Sequence, residues 1–306
     1  MKNINKFSSF ILKIIAMVTM TFDHIGVVYS SLWGREITFN SSFYYACRYI
    51  GRIALPLYCF LLVEAVLHTR NYKKYNIKLG IMALIISIGL CVCQFVPSLG
   101  LEEVAEAGNI FLDLLLGSVM IYCLNHEKKW VKALAILPFS IAILSFVAKA
   151  IEQSNSCSWG CAYTFTVLWY PAFLRLQYDW LSLAFMLGYF LSYYLAKLVY
   201  KIRSESLGID MNMMEGTNEW RMMTNLSAVL MTIIVSFAYY LIKYINKDIV
   251  FWNAEIQLFA MVAGIFIALY SGTRGYNEKW FNNFAYLYYL VHIGVIFGVC
   301  YLIYML

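Results

Sequence analysis

The chain has 306 residues, 62% of them hydrophobic and 13% charged, with a mean hydropathy of +0.68 and a formal net charge of +6. Soluble domains carry about 45–50% apolar and about 25% charged residues, so the composition excludes a water-soluble globule and equally a disordered, collagen-like or coiled-coil chain. It reads as an all-α polytopic membrane protein, a helical bundle forming a single transmembrane domain over residues 1–306.

Apolar runs near the ~20 residues that cross ~30 Å of hydrocarbon predict nine helices, at about 10–29, 44–67, 79–97, 109–124, 131–150, 180–200, 224–244, 254–270 and 284–304. The period-two alternation of an outer-membrane barrel is absent from the sequence. Lys2 and Lys6 before the first run imitate a signal peptide, but Asp23 and His24 interrupt it, and it reads as a retained first span. The segment Tyr163–Leu174 is apolar but too short to cross and is expected to be re-entrant or interfacial. Ile202–Arg221 reads as one cytoplasmic loop of mixed charge.

Most Lys and Arg then fall on one side if the N-terminus is cytoplasmic: Lys2, Lys6 and Lys13, the 70–78 group, Lys128, Lys129 and Lys132, Lys197, Lys201, Arg203 and Arg221, and Arg274 with Lys279. The opposite side holds the acidic loop of Glu102, Glu103 and Glu106. Basic loops facing anionic membrane lipid account for the net charge, and no nucleic-acid partner is expected. Six of the eight cysteines lie in apolar spans as small core residues; Cys157 and Cys161 share an external loop where a disulfide is permitted, and no metal site is expected.

An ionised side chain near the bilayer centre costs about 2.5–3.5 kcal/mol or more and persists only where paired or hydrated, so function is sought in the intramembrane polar residues. Span 1 carries Asp23 and His24, which sit ~100° apart on the helix, so the partner of His24 is expected from another span. Span 2 carries Arg48 and Arg52 on one face, Pro56 midway, and Glu64 with His68 at the inner end. Asp23 is the natural partner for Arg52. Span 4 adds Asn109 and Asp113, span 6 opens on Tyr178-Asp179, and His292 lies in the last span. Each histidine also has a plain reading as a hydrogen-bonded tie between helices. No GxGxxG, Walker A, HExxH or GxSxG pattern points to soluble-type chemistry.

LKIIAMVTMTFDHIG followed by RYIGRIALPLYCFLLVEAVLHTRNYKKY closely resembles the opening of the TraX family of membrane proteins, whose named member is associated with N-terminal acetylation of conjugative pilin. GNIFLDLLLG, LQYDW and YLYYLVHIGV resemble later blocks in the same order. TraX is similar in turn to the larger group of transmembrane acyltransferases, which take acyl groups from a cytoplasmic thioester. The resemblance implies that Asp23 and His24 are the family's DH, Arg52 its GR arginine, Glu64 and His68 its E and HT positions, Asn109 its span 4 Asn, Asp179 its DY-like position and His292 its terminal His. Here the DY pair is Asp179-Trp180, preceded by Tyr178.

On that footing His24, Asp23, Arg52 and Asn109 are the expected catalytic set, with Arg48, Glu64, His68, Asp113, Asp179 and His292 binding substrate. His24 takes a proton from an amine or hydroxyl acceptor, and Arg52 or Asn109 holds the developing oxyanion. His24 lies ~15 Å or more from the inner end of span 1 at ~1.5 Å per residue, a distance suited to the pantetheine arm of acetyl-CoA, with Arg70, Lys73 and Lys74 at its phosphates. Removing Arg52 is expected to leave Asp23 uncompensated. A proton-coupled transporter would use the same intramembrane charges as a relay, and a noncatalytic assembly subunit would not need His24; both classes stay open at this point, as does the acceptor, protein N-terminus or glycan.

Overall fold

In the computed structural model of the chain, residues 6–33, 41–96, 108–153, 170–208, 217–245, 254–276 and 279–305 are described. They are helical throughout, as expected: α1 Ser9–Trp33, α2 Ser41–Gly51, α3 Ala54–His68, α4 Tyr72–Phe95, α5 Ile110–Asn125, α6 Lys129–Ala133, α7 Ile136–Gln153, α8 Asp179–Leu207, α9 Asn218–Ile245, α10 Ala254–Gln257, α11 Ala263–Ala268 and α12 Lys279–Met305, with short 3₁₀ turns at Ala172–Leu174 and Leu258–Val262. Among these residues the extended pairing is a single bridge between Phe7 and Tyr270.

Each of the nine apolar runs falls on helix, and seven stretches are long and apolar enough to cross a membrane: Ser9–Ser30, Ser42–His68, Tyr72–Phe95, Lys129–Ile151, Asp179–Ser206, Asn218–Ile242 and Asn283–Met305. The runs at 109–124 and 254–270 give the shorter apolar helices Ile110–Asn125 and Glu255–Ala268. At ~1.5 Å per residue these reach across most of the ~30 Å hydrocarbon layer. The protein is a helical membrane protein.

Three boundaries depart from the hydropathy reading, each through local polar chemistry. α4 begins at Tyr72, before its apolar run, because the Asn71 side chain accepts from Lys74 N at 3.0 Å and supplies the N-cap. Ile202–Arg221 is not one loop: α8 continues to Leu207 and α9 starts at Asn218, with Lys201 paired to Glu205 at 4.0 Å and Arg203 to Glu219 at 3.7 Å. Opposite charges one helical turn apart favour helix where the chain leaves the apolar layer. Span 2 is interrupted at Arg52–Ile53, where Arg52 N reaches Arg48 O and Tyr49 O at 3.3 and 3.2 Å. Pro56 stands four residues on; its ring clashes with the carbonyl of residue 52 and ends the regular ladder there. The acidic residues Glu102, Glu103 and Glu106, the Cys157–Cys161 pair and residues 163–169 lie outside the described residues.

α4 shows how such helices pack. Ile81, Leu84, Ile85, Ile88 and Val92 are exposed, whereas the buried face carries Leu79, Ala83, Ser87 and Leu90, with the two small residues at its middle. Lipid tails reward large aliphatic side chains outside, and small residues inside let backbones approach.

The chain divides into two compact units, one comprising residues 1–61, 188–244 and 252–306, the other 62–187 and 245–251. In the first, α1 packs on α2 and α12. Its core sets Phe60 edge-on to Tyr189 and Tyr270 at 5.5 and 5.3 Å, while Tyr189 Oη meets Thr232 Oγ1 at 3.0 Å. In the second unit α4 packs on α5, and Gly117 of α5 leaves room for the Met186 side chain.

Candidate functional site

Within the first unit the polar residues of α1, α2 and α12 form one group around α1. The Asp23 carboxylate takes Arg52 Nη2 at 2.7 and 2.9 Å on its two oxygens, and Arg48 Nη1 at 2.9 Å. The side chains of all three are about nine-tenths buried, at 10%, 11% and 7% exposure. The expected Arg52–Asp23 pair is present, but Asp23 has a second cation, so loss of Arg52 alone does not leave it uncompensated. Burial of these charges is tolerated because each arginine meets the carboxylate directly. Arg48 Nε is buried and has no hydrogen-bond partner among the described residues.

Gly51 makes this cluster possible. A β-carbon there would collide with the Asp23 carboxylate, and one on Gly26 would lie 2.8 Å from Cys47 Cβ. The two glycines let α1 and α2 close with the charged group between them. Sequence reading missed Gly51, although its place between Arg48 and Arg52 was the signal.

His24 finds the partner expected from another span: His24 Nδ1 and His292 Nε2 are 2.5 Å apart, and the rings are tilted by 31°. His292 Nδ1 donates to Tyr288 O at 2.8 Å, and the Tyr288 ring stacks on His292 at 4.9 Å. The Tyr288 hydroxyl is in turn hydrogen-bonded to Thr21 on α1. His292 is therefore a direct neighbour of His24.

Asn109, Asp113 and Asp179 assemble elsewhere, in the second unit. Asn109 caps α5, accepting from Phe111 N at 3.0 Å, and its amide donates to Ala83 O at 2.7 Å and Ser87 Oγ at 3.0 Å. Both amide donors are thus engaged in holding α4 to α5. Asp113, fully buried, accepts from Gln177 N, Tyr178 N and Ser182 Oγ at 2.7, 3.2 and 2.6 Å. Asp179 takes up Ser145 Oγ at 2.5 Å and Lys149 Nζ at 3.0 Å, and Lys149 also reaches Leu176 O at 2.5 Å. These bonds hold Asp179 at φ +50°, a left-handed position that Asp tolerates better than most residues. Arg175, 1% exposed, donates from Nε to Tyr170 O at 3.1 Å. Burial and the Asp179 carboxylate push the Tyr170 hydroxyl up to about 12. Sequence reading missed Lys149 and Ser182; a lone lysine in the run SFVAKAIEQ was the available sign of a buried partner.

The remaining expected residues lie at the C-terminal end of α3 and beyond it. His68 Nδ1 lies 2.8 Å from Glu64 O and 3.8 Å from Glu64 Oε2, with the histidine half exposed. Arg70, Lys73 and Lys74 are exposed around the capped N-terminus of α4. Backbone N–H groups and basic side chains there suit anionic oxygens.

A family model described as TraX protein matches residues 8–300. A curated relative, the probable fimbrial assembly protein FimC of serogroup H1 from Dichelobacter nodosus, is 34% identical over 114 residues, which is 36% of this chain and 43% of the relative. The chain therefore matches less than half the length of that relative. No solved structure matches the chain. Since the family match runs from the start of α1 almost to the end of α12 and takes in both polar clusters, the chain belongs to the TraX family.

Proposed function

We propose that the protein is a membrane-embedded acyltransferase of the bacterial inner membrane, N-terminus cytoplasmic, that moves an acetyl group from acetyl-CoA to the N-terminal amine of a pilus or fimbrial subunit. The observation that carries the reading is His24: an imidazole on a membrane-spanning helix, joined to a second imidazole and adjacent in sequence to a buried Asp–Arg–Arg cluster. The TraX resemblance supports acetyl transfer, and the fimbrial assembly relative supports a pilin-like acceptor over a glycan hydroxyl.

The donor supplies an activated thioester carbonyl. As the acceptor nitrogen bonds to that carbon, its proton passes to the His24 imidazole, and Arg48 Nε, buried without a partner among the described residues, is assigned to the developing oxyanion. The C–S bond then breaks, and His24 returns the proton to the sulfur as the thiol leaves. Arg70, Lys73 and Lys74 are assigned to the donor's phosphates. Asn109, with its amide already engaged, is no longer needed as an oxyanion donor.

The test is acetyl-CoA consumption by purified protein, with N-terminal amine peptides and glycan hydroxyls as trial acceptors. His24→Ala should abolish transfer while the protein still inserts and keeps its unfolding temperature within a few degrees, since one lost hydrogen bond costs only about 0.5–1.5 kcal/mol. Glutamate at Arg70, Lys73 and Lys74 together should raise KM for acetyl-CoA with little change in kcat. Undiminished turnover in folded His24→Ala protein would favour a transporter or a noncatalytic assembly subunit instead.

A further inference from the structure

Two hydrogen bonds taken in order assign the protons on the paired imidazoles. A backbone carbonyl can only accept, so His292 Nδ1, 2.8 Å from Tyr288 O, carries a hydrogen. In the neutral ring the other nitrogen is then bare, so His292 Nε2 accepts and His24 Nδ1, 2.5 Å away, donates. The lone pair of neutral His24 is then left on Nε2.

We infer that His292 is a positioning residue that holds His24 in its Nδ1–H tautomer, leaving Nε2 as the basic atom offered to the acceptor amine. The inference rests on the base role proposed above for His24. The usual orienting group, a carboxylate, is not available from Asp23, whose two oxygens are engaged by Arg48 and Arg52. A second imidazole takes that place.

The pairing also gives the transferred proton somewhere to go. When the acceptor N–H proton arrives at His24 Nε2, the shared hydrogen can pass from His24 Nδ1 to His292 Nε2. His24 is then neutral again and His292 carries the charge, with Nδ1–H still on Tyr288 O and the Tyr288 ring stacked against it. The reverse shift restores both rings when the thiolate takes the proton back. The groups around the pair are Asp23 on α1, Arg48 on α2 and Arg52 just after it, Tyr58 on α3 beside Tyr288, and Tyr288 and Tyr289 on α12.

The chain has 4 histidines, so nitrogen-15 spectra of histidine-labelled full-length protein in detergent are assignable by removing His68 and His126 in turn. Wild-type His24 should show Nδ1 protonated and Nε2 bare. In His292→Phe, His24 should revert to the Nε2–H form that dominates in water, and kcat for acetyl transfer should fall by about 10²-fold or more at little-changed KM, as for a base held in the wrong tautomer. His292→Gln, whose side-chain oxygen can accept from Nδ1–H, should keep the wild-type tautomer and recover most of that loss. His24 found with Nε2 protonated in the wild type, or unchanged in His292→Phe, overturns the inference. The expected tautomer in a protein that acetylates none of the trial acceptors leaves the assignment standing and removes the acyltransferase reading instead.

Discussion

The Asp23 carboxylate fills the space that a β-carbon on residue 51 would occupy. α1 and α2 can therefore close on a charged group only because residue 51 has no side chain, and the two arginines flanking that glycine reach the carboxylate from either side. Backbone proximity and charge compensation are one feature here.

Gly51→Ala should accordingly force Asp23 off its arginines. Overpacking a closed contact costs about 1–3 kcal/mol, and the displaced carboxylate adds to it. A lowered unfolding temperature in detergent, together with loss of acetyl transfer, is the expected outcome. Wild-type stability and turnover in Gly51→Ala would mean that Asp23 does not sit against α2.

The shared carboxylate sets an order among charge variants. Asp23→Asn leaves two guanidiniums facing each other in a buried place, and uncompensated buried charge costs about 3–5 kcal/mol. Arg52→Ala or Arg48→Ala leaves Asp23 with one cation and should cost about 1–3 kcal/mol, nearer the loss of a charged hydrogen bond. Thermal unfolding of the three single variants tests the ranking, which fails if either arginine variant is the least stable.

Asp113 secures the start of α8 through the amides of Gln177 and Tyr178. Asp113→Ala should release both amides and the Ser182 hydroxyl at once. Hydrogen exchange at residues 176–182 should accelerate by about two orders of magnitude, as follows from losing roughly 2–3 kcal/mol of local protection. Unchanged exchange there would show that the loop is held by other contacts.

The basic residues make a topological prediction. Reporter fusions after Leu306 and within Glu102–Glu106 should read as external, while single cysteines at Lys73 and Lys129 should be labelled only from the cytoplasmic side. A cytoplasmic C-terminus would overturn the nine-span count and require Tyr163–Leu174 to be counted as a further span.

Much of this protein is written along the chain itself. Hydropathy alone marks where the helices lie, because in a membrane the backbone must satisfy its own hydrogen bonds and a long apolar run has few alternatives to helix. The cost of burying charge likewise singles out Asp23, His24, Arg48, Arg52, Asp113, Asp179 and His292 without any knowledge of partners. Local capping and clashes were harder to read, so the start of α4 at Tyr72 and the break at Arg52 depart from the apolar pattern. Of the partners, the Arg52–Asp23 pair was legible, but the sharing of that carboxylate with Arg48, the meeting of His24 with His292 and the turn of Asn109 to Ala83 and Ser87 were not. Hydropathy and charge cost are sums over neighbouring residues, whereas these pairings join residues up to 268 positions apart and depend on where glycines let helices touch and which donors remain once the backbones have packed.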